Sequence, residues 1–161
     1  MVAARERQTT VKYADIAVYS PDDELQLVVE VKNRVEANAG WAAHMRRNMV
    51  AHLGMPRSPF FLLALPDHFY LWRDLASPLD IAPPDYDIDP APLLAAYVAA
   101  APRALSIISE YGLALAVSSW LANLVATDLD GGALPPEQSW LIDSGLYRAI
   151  KGGVVKPQLA L

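Results

Sequence analysis

The strongest constraint on the fold is a pair of short runs separated by a single turn. Tyr13–Tyr19 alternates loosely between apolar and polar residues, Leu25–Lys32 is rich in Leu and Val, and Pro21-Asp22-Asp23-Glu24 lies between them. A polar loop of that length, opening on proline, joins two antiparallel strands. With those residues as the loop, Asp15 faces Glu30, Ala17 faces Val28 and Tyr19 faces Gln26. Side chains at i and i+2 share a face of a strand. Ile16, Val18, Leu25, Leu27, Val29 and Val31 therefore form one wholly apolar face, which must be buried. Asp15, Glu30 and Lys32 share the other, within about 5–8 Å of one another by ordinary cross-strand geometry.

The residues after the hairpin extend the sheet. Val35–Leu53 carries Trp41, Met45, Met49 and His52 at helical spacing and reads as one amphipathic helix, stopped by Gly54 and Pro56. Phe60–Leu65, FFLLAL, is a short continuous apolar run. After a helix, such a run is what a buried parallel strand looks like. Pro66-Asp67-His68 turns the chain, and Phe69–Trp72 returns as another strand. The expected fold class is α/β or α+β, a mixed β-sheet with one crossover helix.

Residues 76–92, ASPLDIAPPDYDIDPAP, hold five prolines and four aspartates and read as an extended connector without regular structure. Residues 93–161 look mainly helical, with helices expected at Pro92–Ala100, Pro102–Thr127 (Gly112 interrupting it) and Ser144–Lys151, the last stopped by Gly152-Gly153. The division is thus a core over residues 1–75, a connector over 76–92 and a helical region over 93–161 packed on the same domain.

Composition narrows the chemistry. The chain has 161 residues, a size that suits one domain. With no cysteine, disulfides, thiolate zinc sites, iron–sulfur clusters and a cysteine nucleophile are excluded. A net charge of −5 is the wrong sign for a protein that binds nucleic acid by bulk charge, so any such role rests on a local basic patch or on metal ions. The most lipid-like stretch, Tyr111–Thr127, is 17 uncharged residues, short of the roughly 20 a spanning helix needs. It contains Ser118, Ser119 and Asn123, and is expected in the core or at a dimer seam. No apolar segment follows the first residues, so no secretory signal is expected and a cytoplasmic location is the default.

Two carboxylates placed opposite each other repel, and something must offset that. Lys32 helps one side. A divalent cation does more, because magnesium typically takes one or two carboxylates together with water and substrate phosphate. A lysine beside such a cation orients or helps deprotonate a water, and lysine and metal together stabilise charge developing on phosphorus. The plainer alternative is an exposed hairpin with a Lys–Glu pair and a solvated aspartate.

The pieces YADIAVY and VVEVKNR, followed by GWAAHMRRN and FFLLALPDHFYLWRD, resemble the PD-(D/E)XK nuclease superfamily over roughly residues 11–75. The resemblance implies a restriction-endonuclease-like sheet and metal-dependent hydrolysis of phosphodiesters in nucleic acid, DNA or RNA, with Mg2+ or Mn2+. It implies that Asp15 and Glu30 bind the metal, that the backbone carbonyl of Val31 is a further ligand, and that Lys32 is the catalytic lysine. Ala14 stands where the motif's name has proline. The superfamily core usually opens with a helix bearing another acid; few residues precede Asp15, and Glu6 is the acid available there. Either that helix is rudimentary, a partner subunit supplies it, or the true start lies upstream.

Arg34, Arg46 and Arg47, with Arg57 and Arg73, are candidates for a phosphate-contacting rim; the alternative is an ordinary solvated face. His44 and His52 are two helical turns apart and do not share a metal, and His68 sits in a turn. Trp41 and Trp72 read as core rather than stacking platforms. Asp85, Asp87 and Asp89 have the spacing of a calcium loop, but Pro90 and Ala96 occupy the positions where that loop needs glycine and glutamate. Two functions fit these residues: a Mg2+- or Mn2+-dependent nuclease, or a nuclease-like fold that no longer cuts and serves as a binding or assembly module. In the second, the helical C-terminal half forms a homodimer seam or partner surface.

Overall fold

The computed structural model describes residues 14–53, 58–73, 81–101, 103–129, 132 and 134–157. Tyr13, Glu6, the Gly54–Pro56 stop, Arg57 and residues 76–80 of the connector lie outside them, as does the His52 side chain.

Strands β1 (Ile16–Tyr19) and β2 (Leu25–Val31) form the hairpin. Ile16 pairs with Val29, Ala17 with Val28 and Val18 with Leu27, which is the expected register. Between Val18 and Tyr19 the register shifts, and Tyr19 pairs with Leu25 instead of Gln26. The loop makes room for this. Ser20 N–H donates to the Glu24 carbonyl at 2.8 Å and Asp23 N–H to the Ser20 carbonyl at 2.9 Å, with Asp23 in the left-handed region (φ 66°) that aspartate tolerates better than most residues. The irregularity also turns Leu25 out of the expected apolar face: it packs with the helix on the other side of the sheet.

Helix α1 (Ala39–Leu53) starts four residues later than its hydrophobic spacing suggests. Asn38 sets the start, its Oδ1 accepting from Trp41 N–H at 2.8 Å. Just upstream, Glu36 has a φ of 61° and its N–H donates to Asp67 Oδ2 at 2.7 Å, tying the segment to the β3–β4 turn. Strand β3 (Phe60–Ala64) then runs parallel to β2, with Glu30 beside Leu63 and Val31 beside Ala64. Strand β4 (Phe69–Arg73) returns antiparallel. The continuous apolar run of β3 is buried on both faces, as a central parallel strand requires.

Two further strands complete a six-stranded mixed sheet of order β5-β4-β3-β2-β1-β6. Strand β5 (Tyr86–Ile88) lies inside the segment expected to be an unstructured connector. Its prolines flank those three residues without falling among them, so the backbone can pair with β4; Arg73 N–H donating to Asp85 Oδ2 at 2.9 Å extends the contact. Strand β6 (Val154–Pro157), also unexpected, pairs antiparallel with β1. Connector and C-terminal region thus contribute to the same sheet as residues 16–73.

The helical part is more broken than its pattern suggests. Helix α2 is only Ala91–Leu94, followed by turns and a 3-10 segment at Ala104–Ile107. The long helix α3 spans Glu110–Ala126. The break precedes Gly112: Ile108 is extended, and Ser109 caps α3 by accepting from Gly112 N–H at 2.9 Å. Helices α4 (Trp140–Asp143) and α5 (Leu146–Ile150) are separated by Gly145, at φ 88°. The Gly152-Gly153 stop is where the composition places it. Gly153 is obligatory, since a Cβ there would overlap the Tyr19 carbonyl oxygen.

Helices cover both sheet faces. Ile16, Val18, Leu27, Val29 and Val31 pack against Leu113, Val117, Trp120 and Leu121 of α3 and Trp140 and Leu146 of α4 and α5. Val28, Phe61, Leu63, Tyr70 and Trp72 pack against Ala42 and Met49 of α1. The apolar stripe of the charge-free run, from Leu113 to Val125, is therefore buried within its own chain. Among the described residues, no helix is long and apolar enough to cross a membrane.

Candidate active site

The hairpin register carries Asp15 and Glu30 to the end of β2 where the chain leaves the sheet. Asp15 N–H donates to the Val29 carbonyl at 3.1 Å, and its carboxylate Oδ2 accepts from Val31 N–H at 2.7 Å. Lys32 is anchored through its backbone N–H, which donates to the Ala64 carbonyl at 3.1 Å, and its Nζ lies 3.6 Å from Glu30 Oε2. The Glu30 side chain keeps only 13% of its exposure, while that of Lys32 keeps 35%.

The electrostatics follow from burial and crowding. Burial and the neighbouring Asp15 push the Glu30 carboxyl up to about 7, against the pull of Lys32. Burial also raises Asp15, opposed by the Val31 hydrogen bond. A third acid acts on both. Glu110, the first residue of α3, raises Asp15 and Glu30 through its charge, and its Oε1 accepts from Asn33 N–H at 3.3 Å. Glu110 is not among the residues singled out by sequence. Its local signal is that of a helix start, and only the packing of α3 across the sheet brings it beside residues nearly eighty positions earlier.

Of the candidate arginines among the described residues, Arg46 is turned inward. Arg46 is buried (2% exposed) with its guanidinium over the Trp72 ring at 5.9 Å, an internal packing role in place of the expected phosphate contact. Arg47 is half-buried on α1. Arg34 is exposed and sits over Trp41 at 4.6 Å from the ring centre. Arg73 lies at the far end of β4, opposite Phe60. Trp72 is fully buried and donates from Nε1 to the Ala82 carbonyl at 2.8 Å, as a core residue should. His44 is exposed on α1, and His68 pairs with Asp87 at 2.8 Å.

Among the described residues, no group of three or more His, Asp or Glu side chains is arranged to hold a metal ion. The donor set at Asp15 and Glu30 nonetheless suits a hard cation: magnesium commonly uses one or two carboxylates and leaves its other positions to water and phosphate. Burial and, after it, the charge of Asp15 raise Glu30, and a bound cation would relieve that repulsion. No family model matches the chain, and neither a curated protein nor a solved structure is significantly similar to it.

Proposed function

We propose that the chain is a metal-dependent nuclease with a restriction-endonuclease-like core, acting on phosphodiesters of DNA or RNA. One observation carries the reading: adjacent antiparallel strands set Asp15 beside Glu30, with Lys32 Nζ 3.6 Å from Glu30, and a crossover helix and parallel strand come directly after. Asp15 and Glu30 would hold Mg2+ or Mn2+, with the Val31 carbonyl as the further ligand the resemblance implies. The cation would neutralise the two carboxylates and polarise the phosphodiester drawn to them. Lys32, half-exposed and fixed through its backbone, would orient a water and donate to a non-bridging phosphate oxygen as charge develops there. Water adds to phosphorus and one ester P–O bond breaks.

The test is a calorimetric Mn2+ titration of the wild type against Asp15→Asn, followed by Mn2+-supported cleavage of single- and double-stranded DNA and RNA. Mn2+ binding lost in Asp15→Asn, with cleavage at least about 100-fold slower in Lys32→Ala, is the expected result. Absence of Mn2+ binding in the wild type, with and without nucleic acid, overturns it.

A second reading, a non-cutting assembly module, draws on a separate observation. Tyr111 and Leu115, about one turn apart on α3, remain 63% and 45% exposed. A homodimer closed through this face would appear in sedimentation equilibrium and be lost in Tyr111→Ser/Leu115→Ser.

A further inference from the structure

At the opposite end of the sheet from Asp15 and Glu30 lies a hollow of about 480 Å³, bounded by Arg73 of β4, by Ile142, Asp143 and Tyr147, and by Arg148 and Lys151. Arg73 pairs with Phe60, whereas Glu30 pairs with Leu63, about 10 Å further along β3 by strand rise. The hollow is thus separate from the carboxylate pair. Its cations are held by the fold. Arg73 Nη1 donates to the Ser144 carbonyl at 3.4 Å and its guanidinium lies 5.9 Å from the Tyr86 ring centre. Lys151 Nζ lies 3.7 Å from Asp128 Oδ1 and 5.8 Å from the Tyr147 ring centre. Arg148, on α5, is exposed.

The charge is the reverse of the protein's own. Among the described residues, three cationic side chains and one carboxylate, Asp143, line this concave surface, and Asp128 pairs with Lys151, in a chain whose net charge is −5. Guanidinium groups match phosphate oxygens in charge and geometry. The surplus of positive charge, with Arg148 exposed, suits the phosphoryl group of a phosphomonoester, which carries nearly two negative charges near neutral pH. The volume falls in the range of small-molecule pockets, about 300–1,000 Å³, and the exposed Ile142 offers an apolar wall for an organic body. A strand of nucleic acid instead needs a groove that tracks its backbone.

We propose that this hollow binds a small phosphomonoester, the phosphoryl group held by Arg73, Arg148 and Lys151. The inference does not rest on the nuclease reading.

The test is calorimetry at low salt with adenosine monophosphate, inorganic phosphate, adenosine and a single-stranded DNA 12-mer as probes. Adenosine monophosphate should bind with a Kd below about 1 mM and adenosine should not bind. Arg148→Gln and Lys151→Gln, each checked for an unchanged melting curve, should weaken binding about tenfold or more. Asp143→Asn, which removes the opposing charge, should tighten it. Glu30→Gln should leave it unchanged. Adenosine monophosphate silent at millimolar concentration overturns the proposal, as does affinity indifferent to Arg148, Lys151 and Asp143. Binding of the 12-mer through these residues while the monophosphate stays silent also overturns it, in favour of a nucleic-acid contact.

Discussion

The Asp15 carboxylate accepts a 2.7 Å hydrogen bond from the backbone N–H of Val31, the residue that follows Glu30. The acid of one strand is thereby locked to the strand that carries the other acid. Asparagine can still accept from Val31 N–H, and it removes the repulsion with Glu30. Asp15→Asn should therefore fold with stability within about 1 kcal/mol of wild type, while Asp15→Ala should lose about 1–2 kcal/mol. Urea denaturation of both variants measures the difference. Equal losses would mean that the hydrogen bond contributes nothing.

Glu30 links stability to pH. Unfolded, a glutamate titrates near 4.5, whereas folded Glu30 is raised to about 7, so between these values the native state binds more protons than the unfolded one. The contribution of Glu30 is fully present below about 4.5 and is lost as pH rises through about 7. Glu30→Gln carries no charge to bury. Its stability relative to wild type should be near zero at pH 4.5 and reach ~1–3 kcal/mol in its favour at pH 8. Melting curves across that range decide the matter. On the proposed function, Mn2+ at pH 8 should raise the wild-type Tm and leave Glu30→Gln unmoved.

Glu110 raises both Asp15 and Glu30 from across the sheet. Glu110→Gln should lower the midpoint at which the Glu30 carboxyl titrates, read by carbon-13 NMR of labelled glutamate. An unmoved midpoint would show that α3 does not present its first residue to the carboxylate pair.

Gly153 lets β6 lie against β1. A Cβ would overlap the Tyr19 carbonyl oxygen, and backbone cannot move aside as a flexible side chain can. Gly153→Ala should destabilise the chain by about 2 kcal/mol or more. Amide exchange should accelerate along β6 and at its β1 partners, and hardly at all along β3.

Tyr147 is 2% exposed, and its hydroxyl joins two backbone groups after α3. It donates to the Thr127 carbonyl at 2.5 Å and accepts from Leu129 N–H at 3.0 Å. Tyr147→Phe leaves a carbonyl and an N–H unpaired in a part-buried setting, and should lose about 1–3 kcal/mol in chemical denaturation.

The hairpin, the crossover helix, the buried run of β3 and the neighbourhood of Asp15, Glu30 and Lys32 are legible along the chain. They depend on two-residue and helical periodicities and on a turn a few residues long, all local quantities. The shift at Tyr19 is not, because a bulge depends on how the loop closes, and Leu25 changes faces with it. Strands β5 and β6 are hidden for a related reason. Three residues between prolines and four after two glycines are too short to show a strand periodicity, although they include Tyr, Ile and Val, and they form because β4 and β1 offer unpaired edges.

Residue type and spacing are thus enough to place two acids and a lysine together on one hairpin. Distance across the fold does the rest. It buries Arg46 over Trp72, sets Glu110 near Asp15 and Glu30, and gathers Arg73, Arg148 and Lys151 from a strand and from the segment around α5. Charges separated by tens of residues carry no periodic signal; their proximity comes from helices burying apolar stripes on both faces of one sheet.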